Sequence, residues 1–188
     1  MWLFTGLCIF LSIWIILGVY VFSEIKKTYD RAGVFTDKLL NTWFVMWAFH
    51  HIPVILSSLY GIWQIPVNRS FALIGGLITF VVGTVILSAG MIGFRSLRIS
   101  TGQDVSKLVT SGIYRWSRNP QFIGWVLMLS GISLAGRSGL AFVLTGVFTI
   151  VIHLYTTRLE EPYLERLYGE GYRQYKLSTP RYIGIPKK

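Results

Sequence analysis

The residues best equipped for chemistry in this 188-residue chain are two arginines and two adjacent glutamates. Arg118 stands before the last two apolar segments of the sequence, and Arg158, Glu160 and Glu161 follow them. An arginine guanidinium can hold a carboxylate through two parallel hydrogen bonds, whereas Glu161 is the nearest group able to take a proton from an amine. Polar groups at a membrane boundary are costly unless something uses them, so these four residues are functional candidates.

The residues after Arg118 predict the start of a helix. Asparagine is a favoured N-cap, and proline at the first helical position loses no hydrogen bond that the helix needs, so we expect Asn119 to cap a helix that begins at Pro120. The positive end of such a helix suits an anionic or carboxylate-bearing ligand.

The glutamates precede a second helix boundary. A residue before proline disfavours helix, so Pro162 predicts a kink or break at Glu161. A short helix should follow to Tyr168, where Gly169 closes it.

The elements that must position these residues are apolar helices. The chain is 53% hydrophobic and only 14% charged, where a soluble domain has about a quarter of its residues charged. Crossing about 30 Å of hydrocarbon takes roughly 20 helical residues. The sequence therefore predicts an all-α integral membrane protein with five transmembrane helices. They fall in five stretches without Asp, Glu, Lys or Arg: 2–22, 39–68, 70–94, 119–136 and 138–157.

The net charge of +10 reflects topology rather than nucleic-acid binding. Sixteen of the 18 Lys and Arg residues, Lys187 and Lys188 among them, follow the first, third or fifth stretch, and only Arg69 and Arg137 lie on the other side. Positive-inside bias places the N-terminus outside and both larger loops and the C-terminus in the cytoplasm. We expect the cell membrane, or the endoplasmic reticulum in a eukaryote, with membrane lipids as neighbours and no nucleic-acid partner.

The remaining polar residues of the apolar half support fewer inferences. The lone cysteine, Cys8, excludes an intrachain disulfide and a Cys-rich metal site, and we expect no metal. His50 and His51 lie inside the second stretch, where they are either functional or hydrogen-bonded between helices. Residues 1–188 form one membrane domain, with three structural spans in 1–94 and the catalytic region in 95–188.

The polar strip resembles a known family. The residues that carry the resemblance begin with Gly112, Tyr114 and the run Arg118-Asn119-Pro120-Gln121-Phe122, and continue with Glu160-Glu161 and the tyrosine-rich ending. Together they are similar to the isoprenylcysteine carboxyl methyltransferases, a group related to membrane phospholipid methyltransferases. The size is similar to that of compact five-span prokaryotic-type members.

The resemblance implies an S-adenosylmethionine-dependent methyltransferase with a cytoplasmic cofactor-binding loop and short C-terminal helices. It implies a lipophilic, prenylcysteine-type acceptor that enters from the bilayer. The chemistry of methyl transfer makes Arg118, Arg158 and Glu161 the candidate catalytic residues. We expect Gly75, Gly76 and Gly83 of the third span to allow close helix approach, and the protein to be a monomer or a weak homodimer that pairs through them. The implied cofactor-binding residues are Gln103, Lys107, Leu108, Val109, Gly112, Tyr114, Asn119, Pro120, Gln121, Phe122 and Glu160.

Two residues depart from the family pattern. Asn119 replaces the usual His and Phe122 the usual Tyr. Asparagine keeps hydrogen bonding but cannot act as a base near neutral pH. An ionised carboxylate acceptor needs no base, only a cation such as Arg158 or Arg118 to orient it, so the missing His favours a carboxylate over an amine.

Three other functions stay open. A phospholipid or amine N-methyltransferase would share the pocket but not the acceptor. An NADPH-dependent sterol-type reductase has a similar Arg-His/Asn pattern, but five spans and the lack of extra basic groups count against it. A non-catalytic membrane scaffold is the alternative outside enzymes.

Overall fold

The computed structural model describes residues 2–185, and the predicted cytoplasmic Lys187 and Lys188 lie outside them. The described chain is helical, without a named strand; one isolated bridge joins Gln64 to Ser138. The helices are α1 (Trp2–Asp30), α2 (Asp37–Leu59), α3 (Arg69–Gly93), α4 (Leu97–Ser100), α5 (Pro120–Ala135), α6 (Gly139–Tyr155), α7 (Glu161–Tyr168) and α8 (Glu170–Ser178). A 3₁₀ turn (Gly112–Arg115) precedes α5, and a π-helical turn (Thr156–Glu160) joins α6 to α7.

Several helices are long and apolar enough to cross a bilayer, which makes this a multi-pass membrane protein. They are α1, α2, α3 and the continuous helix Gly139–Tyr168. The fourth predicted span corresponds to α5, which has 16 residues and a length of about 24 Å. The all-helical prediction is confirmed, while α5 is shorter than the other four.

Glycines in α3 allow it to pack closely against α5. A β-carbon on Gly83 would lie 2.7 Å from the carbonyl oxygen of Gly124, and one on Gly76 would lie 2.6 Å from that of Gly131. Small residues permit such backbone approach in membrane bundles, as the sequence predicted. Because α5 covers these glycines, a homodimer formed through them would have to displace α5.

An aromatic core joins α1, α2 and α6 and contains both histidines. His50 is fully buried, and its Nε2 lies 3.1 Å from the carbonyl oxygen of Leu144 in α6. His51 bonds through Nδ1 to the carbonyl of Trp47, one turn earlier. Both rings pack on Phe148. His50 therefore makes the interhelical hydrogen bond that was one of the two roles considered, whereas His51 bonds within its own helix. No group of three metal-ligating side chains occurs within residues 2–185.

The sequence predicted a kink or break at Glu161, and the break is wrong. Glu161 has helical dihedrals (φ −60°, ψ −43°), and its N–H donates to the carbonyl of Thr156, five residues back. The wider π turn therefore accommodates Pro162, and the helix continues without interruption into α7. The predicted end is confirmed, since α7 stops at Tyr168 and Gly169 has a positive φ of 55°.

Candidate functional site

A cavity of about 240 Å³ lies where the polar strip meets the helix bundle. Its wall comes from parts of the chain that are distant in sequence. They are α2, the end of α3, the segment 99–109, the first turns of α5, the π turn with α7, and α8. The site is therefore assembled by tertiary packing around the start of α5.

One part of the wall is apolar and reaches the outer surface of the bundle. It is formed mainly by Leu40, Trp43, Phe44, Leu87, Met91 and Trp125. Phe44 in α2 and Met91 in α3 line the cavity but are also 47% and 38% exposed. Here α3 packs mainly against α5, whereas α2 packs against α1, α5 and α6. An apolar ligand could thus contact both the cavity and the surrounding lipid.

The other part of the wall is polar and charged. It contains three carboxylates and two cations, namely Asp104, Glu160, Glu161, Lys107 and Arg118. The backbone N–H of Ser106 bonds Asp104 at 2.8 Å and holds the pKa of that carboxyl below its usual value. Among the described residues, Glu160 has no hydrogen-bond or ion-pair partner. The wall therefore offers a carboxyl group that a ligand can contact.

Glu161 forms the centre of an ion-pair network. Its side chain is 5% exposed, and Oε1 lies 3.1 Å from Nη2 of Arg118. Arg181 donates to the same carboxylate twice, from Nε to Oε1 at 2.9 Å and from Nη2 to Oε2 at 2.8 Å. One buried carboxylate thus pairs with two guanidiniums, which leaves an excess of positive charge beside the cavity.

Arg118 is the cation with unused hydrogen-bonding capacity. Its side chain is 8% exposed, and only Nη2 reaches Glu161. Nε and Nη1 are buried without a hydrogen-bond partner in the described structure. Buried guanidinium donors that lack a partner cost free energy, so a ligand that accepts from them is favoured. The Nε2 amide of Gln121 in the same wall makes no hydrogen bond of normal geometry to a described residue, although the side chain interacts with the hydroxyl of Tyr114.

The C-terminal segment holds the start of α5 in place. The N–H of Arg118 donates to the carbonyl of Pro180 at 3.0 Å. Asn119 Nδ2 and Ser117 Oγ both donate to the carbonyl of Arg181. The prediction that the Asn119 side chain caps α5 is therefore wrong, because its amide bonds the C-terminal segment and makes no cap hydrogen bond. Pro120 does begin the helix, as predicted.

Buried tyrosines fix the loop before α5 against the C-terminal helices. Tyr114 donates to the carbonyl of Gly90, Tyr175 to that of Tyr114, and Tyr168 to that of Val105. Desolvation raises the pKa of Tyr114, Tyr172 and Tyr175. These hydroxyls stay protonated at neutral pH, so those of Tyr114 and Tyr175 act as donors in the scaffold, and all three residues line the cavity.

The structure brings most of the predicted site residues to one cavity. Its wall includes Arg118, Glu161, Lys107, Leu108, Val109, Tyr114, Asn119, Pro120, Gln121, Phe122 and Glu160. Three predicted residues lie outside the wall: Arg158 and Gly112 are exposed, and Gln103 bonds Asp37. Sequence reasoning missed Arg181, which nothing in the basic tail distinguishes from its neighbours. It also missed the α2 residues, which carry no polar signal.

Fold and site together define a multi-pass helical membrane protein with a cavity whose wall combines charged side chains with apolar ones, two of which are also exposed on the surface of the bundle. The family model for phospholipid methyltransferases matches residues 71–171, more than half of the chain. The chain belongs to the phospholipid methyltransferase family.

Curated relatives carry one name, protein-S-isoprenylcysteine O-methyltransferase. The Xenopus laevis protein is 30% identical over 117 residues, or 59% of this chain and 39% of its own length. The human protein is 29% identical over 120 residues, 59% of this chain and 40% of its own. The Dictyostelium discoideum protein is 28% identical over 173 residues, which are 80% of this chain and 67% of that protein's own length. The resemblance to isoprenylcysteine methyltransferases is thereby confirmed.

The chain spans about two fifths of the length of the Xenopus and human relatives. No solved structure matched the chain.

Proposed function

We propose that this protein is an S-adenosylmethionine-dependent methyltransferase that methylates the carboxylate of a lipophilic, prenylcysteine-type acceptor. The observation that carries the proposal is Arg118, a buried guanidinium with two free donors in the wall of a cavity that is apolar at one end. The family and the names of the relatives support the reaction class.

The residues of the polar wall fit the cofactor. S-adenosylmethionine bears a carboxylate and two positive groups, an ammonium and a sulfonium. When bound, it supplies a methyl group on the sulfonium sulfur, which a carboxylate oxygen can accept by direct displacement. Asp104 supplies negative charge for the cationic part, and the Glu160 carboxyl lies in the same wall as a further polar contact. The segment Lys107, Leu108 and Val109 and the ring of Tyr114 would enclose the adenosine part. The amide of Gln121 would donate to it.

The role that we assign to Arg118 is to orient the acceptor carboxylate. Its free Nε and Nη1 lie on different edges of the guanidinium, and each can donate a charge-assisted hydrogen bond to an oxygen of the acceptor carboxylate. A carboxylate is ionised at neutral pH and needs no base. Alignment of acceptor and donor and exclusion of water are then the main tasks, and alignment can lower a barrier by up to about 7–11 kcal/mol.

Glu161 takes a different role from the proton acceptor considered for an amine. Both of its oxygens already accept hydrogen bonds from arginines. We propose that it holds Arg118 in the wall, and that Arg158, which is exposed outside the cavity, does not touch the acceptor.

The acceptor would enter from the bilayer between α2 and α3, where Phe44 and Met91 line the cavity while remaining exposed to lipid. The cofactor would enter at the charged end, which the charge distribution puts on the cytoplasmic side with the N-terminus outside. In this arrangement residues 95–188 carry the catalytic groups, and α2 completes the apolar wall.

A second candidate acceptor is the amine of a phospholipid. The description of the matching family favours it, and Glu160 is a carboxylate in the wall without a partner among the described residues. An unpaired carboxylate can accept the proton that an amine must lose before methylation.

The test combines cofactor binding with acceptor choice. Purified protein in detergent is titrated with S-adenosylmethionine and, separately, with NADPH by calorimetry. Transfer of radiolabelled methyl is then measured to a farnesyl-cysteine analogue and to phosphatidylethanolamine. We expect S-adenosylmethionine to bind and the farnesyl-cysteine product to lose its label in base, as a methyl ester does. Label on phosphatidylethanolamine alone would replace the proposal with the second candidate. Binding of NADPH instead would refute both.

A further inference from the structure

Arg181, which lies beyond the segment matched by the family model, contacts the site through both its backbone and its side chain. Its carbonyl accepts from Ser117 and Asn119, and its guanidinium grips Glu161 with two hydrogen bonds. We propose that Arg181 is a positioning residue that occupies Glu161 so that Arg118 keeps two donors free for the acceptor carboxylate. This inference rests on the proposed function.

The argument begins with how the oxygens of Glu161 are shared. Arg181 bonds both oxygens, at 2.9 and 2.8 Å, whereas Arg118 reaches only Oε1, at 3.1 Å. A guanidinium beside an unoccupied carboxylate prefers the bidentate arrangement. Without Arg181, Oε2 would be open to Arg118, which would turn a second donor away from the cavity.

The charges around Glu161 support the same roles for Arg181 and Arg118. Arg118 and Arg181 together carry one positive charge more than Glu161 neutralises, and Arg118 is the more buried of the two cations (8% against 34% of the side chain exposed). The neighbouring carboxylate, Glu160, lines the cavity but bonds neither arginine. An anionic ligand at Arg118 would balance the excess charge. If Arg181 is lost, Glu161 alone neutralises Arg118, and the attraction for that anion falls.

Partial exposure of Arg181 makes the idea testable without unfolding the protein. Because water reaches the position of the Arg181 guanidinium, water molecules can bond Glu161 there when the arginine is replaced. Arg181→Gln removes the positive charge and the pair of guanidinium donors that bonds both oxygens of Glu161. Arg181→Lys keeps the charge but cannot make the bidentate contact. Arg173→Gln is the matched control, since Arg173 is a 60% exposed arginine in α8 that pairs with Glu165.

The experiment measures kcat and KM for the farnesyl-cysteine analogue and, by calorimetry, the Kd for S-adenosylmethionine. We expect Arg181→Gln to raise the acceptor KM at least fivefold while the cofactor Kd stays within twofold of wild type. Arg181→Lys should recover part of that KM, and Arg173→Gln should match wild type. In the Arg118→Gln background, Arg181→Gln should add no further increase in KM, because the two residues act through one contact.

Three results would overturn the inference. An acceptor KM in Arg181→Gln equal to that of Arg173→Gln would show that Arg181 does not prepare the acceptor site. A weakened cofactor Kd with an unchanged acceptor KM would assign it to the cofactor instead. Additive effects of the two substitutions on the acceptor KM would show that Arg181 does not act through Arg118. Failure of the proposed function is seen separately, as wild-type protein that neither binds the cofactor nor transfers methyl, and the inference then falls with it.

Discussion

Replacement of Arg118 by glutamine tests the chemistry assigned to the cavity most directly. The glutamine side chain is uncharged and two atoms shorter than that of arginine, and it keeps one amide donor group. The variant therefore removes the charge-assisted hydrogen bond proposed for the acceptor carboxylate. Arg115→Gln is the matched control, because Arg115 lies in the same loop but is exposed and outside the cavity wall.

The size of the effect follows from the contacts. Arg118 has two free donors, and a hydrogen bond to a charged group contributes about 1.5–3 kcal/mol. If the glutamine amide still donates one weaker hydrogen bond to the acceptor, the net loss is one hydrogen bond between charged groups. That loss lowers kcat/KM for the acceptor about 10- to 150-fold. Glu161 keeps both bonds from Arg181, so the unfolding free energy should fall by only about 1–2 kcal/mol.

The assay is methyl transfer to the farnesyl-cysteine analogue over a range of acceptor concentrations, with thermal unfolding in detergent measured on the same samples. We expect the loss to appear mainly as a higher KM for the acceptor, with cofactor affinity near that of wild type. A kcat/KM as high as that of Arg115→Gln, in folded protein, would refute the assignment of Arg118 to the acceptor.

Three further outcomes are expected from other parts of the molecule. Glu160→Gln, which replaces a carboxyl group of the polar wall by an amide, should weaken S-adenosylmethionine binding at least tenfold by calorimetry; affinity equal to that of the exposed control Glu170→Gln would contradict its cofactor role. Leu40→Trp, on the apolar wall, should raise the KM for a farnesyl acceptor but not the cofactor Kd, and unchanged kinetics would argue against entry beside α2. Gly83→Ala should lower the unfolding free energy by about 1–3 kcal/mol, because a β-carbon there meets the backbone of α5. Gly146→Ala, where nothing lies within 4 Å, is its control in thermal unfolding, and equal stability of the two would refute the packing argument.

Hydrophobicity and local helix signals were enough to predict the helices. Uncharged stretches must form helices in lipid because no water is present to bond the backbone. The Pro120 start of α5 and the Gly169 end of α7 were also readable, since proline and glycine restrict or permit particular dihedrals locally. The prediction of a break at Glu161 failed because the local sequence does not decide the outcome there. A π turn accommodated Pro162 within a continuous helix, and the choice between a turn and a break depends on what the helix packs against.

The motif also predicted most of the cavity wall from sequence. Residues 107–109 and 118–122 come together with the glutamates because each group flanks a helix end on the same side of the bundle. Arg158 and Arg118 were equal candidates to orient a carboxylate, since sequence gives residue type but not the direction of a side chain. The fold leaves Arg158 exposed and buries Arg118 beside Glu161.

The sequence by itself thus determined that this is a helical membrane protein of a methyltransferase family with a polar site before α5 and after α6. Those properties depend on composition and on short motifs, which act locally. Only the tertiary structure decided which arginine keeps free donors, that Asn119 bonds the C-terminal segment, and that α2 supplies the apolar wall. Each of these depends on contacts between residues that are distant in sequence, such as Asn119 with Arg181, and no local pattern encodes such a contact.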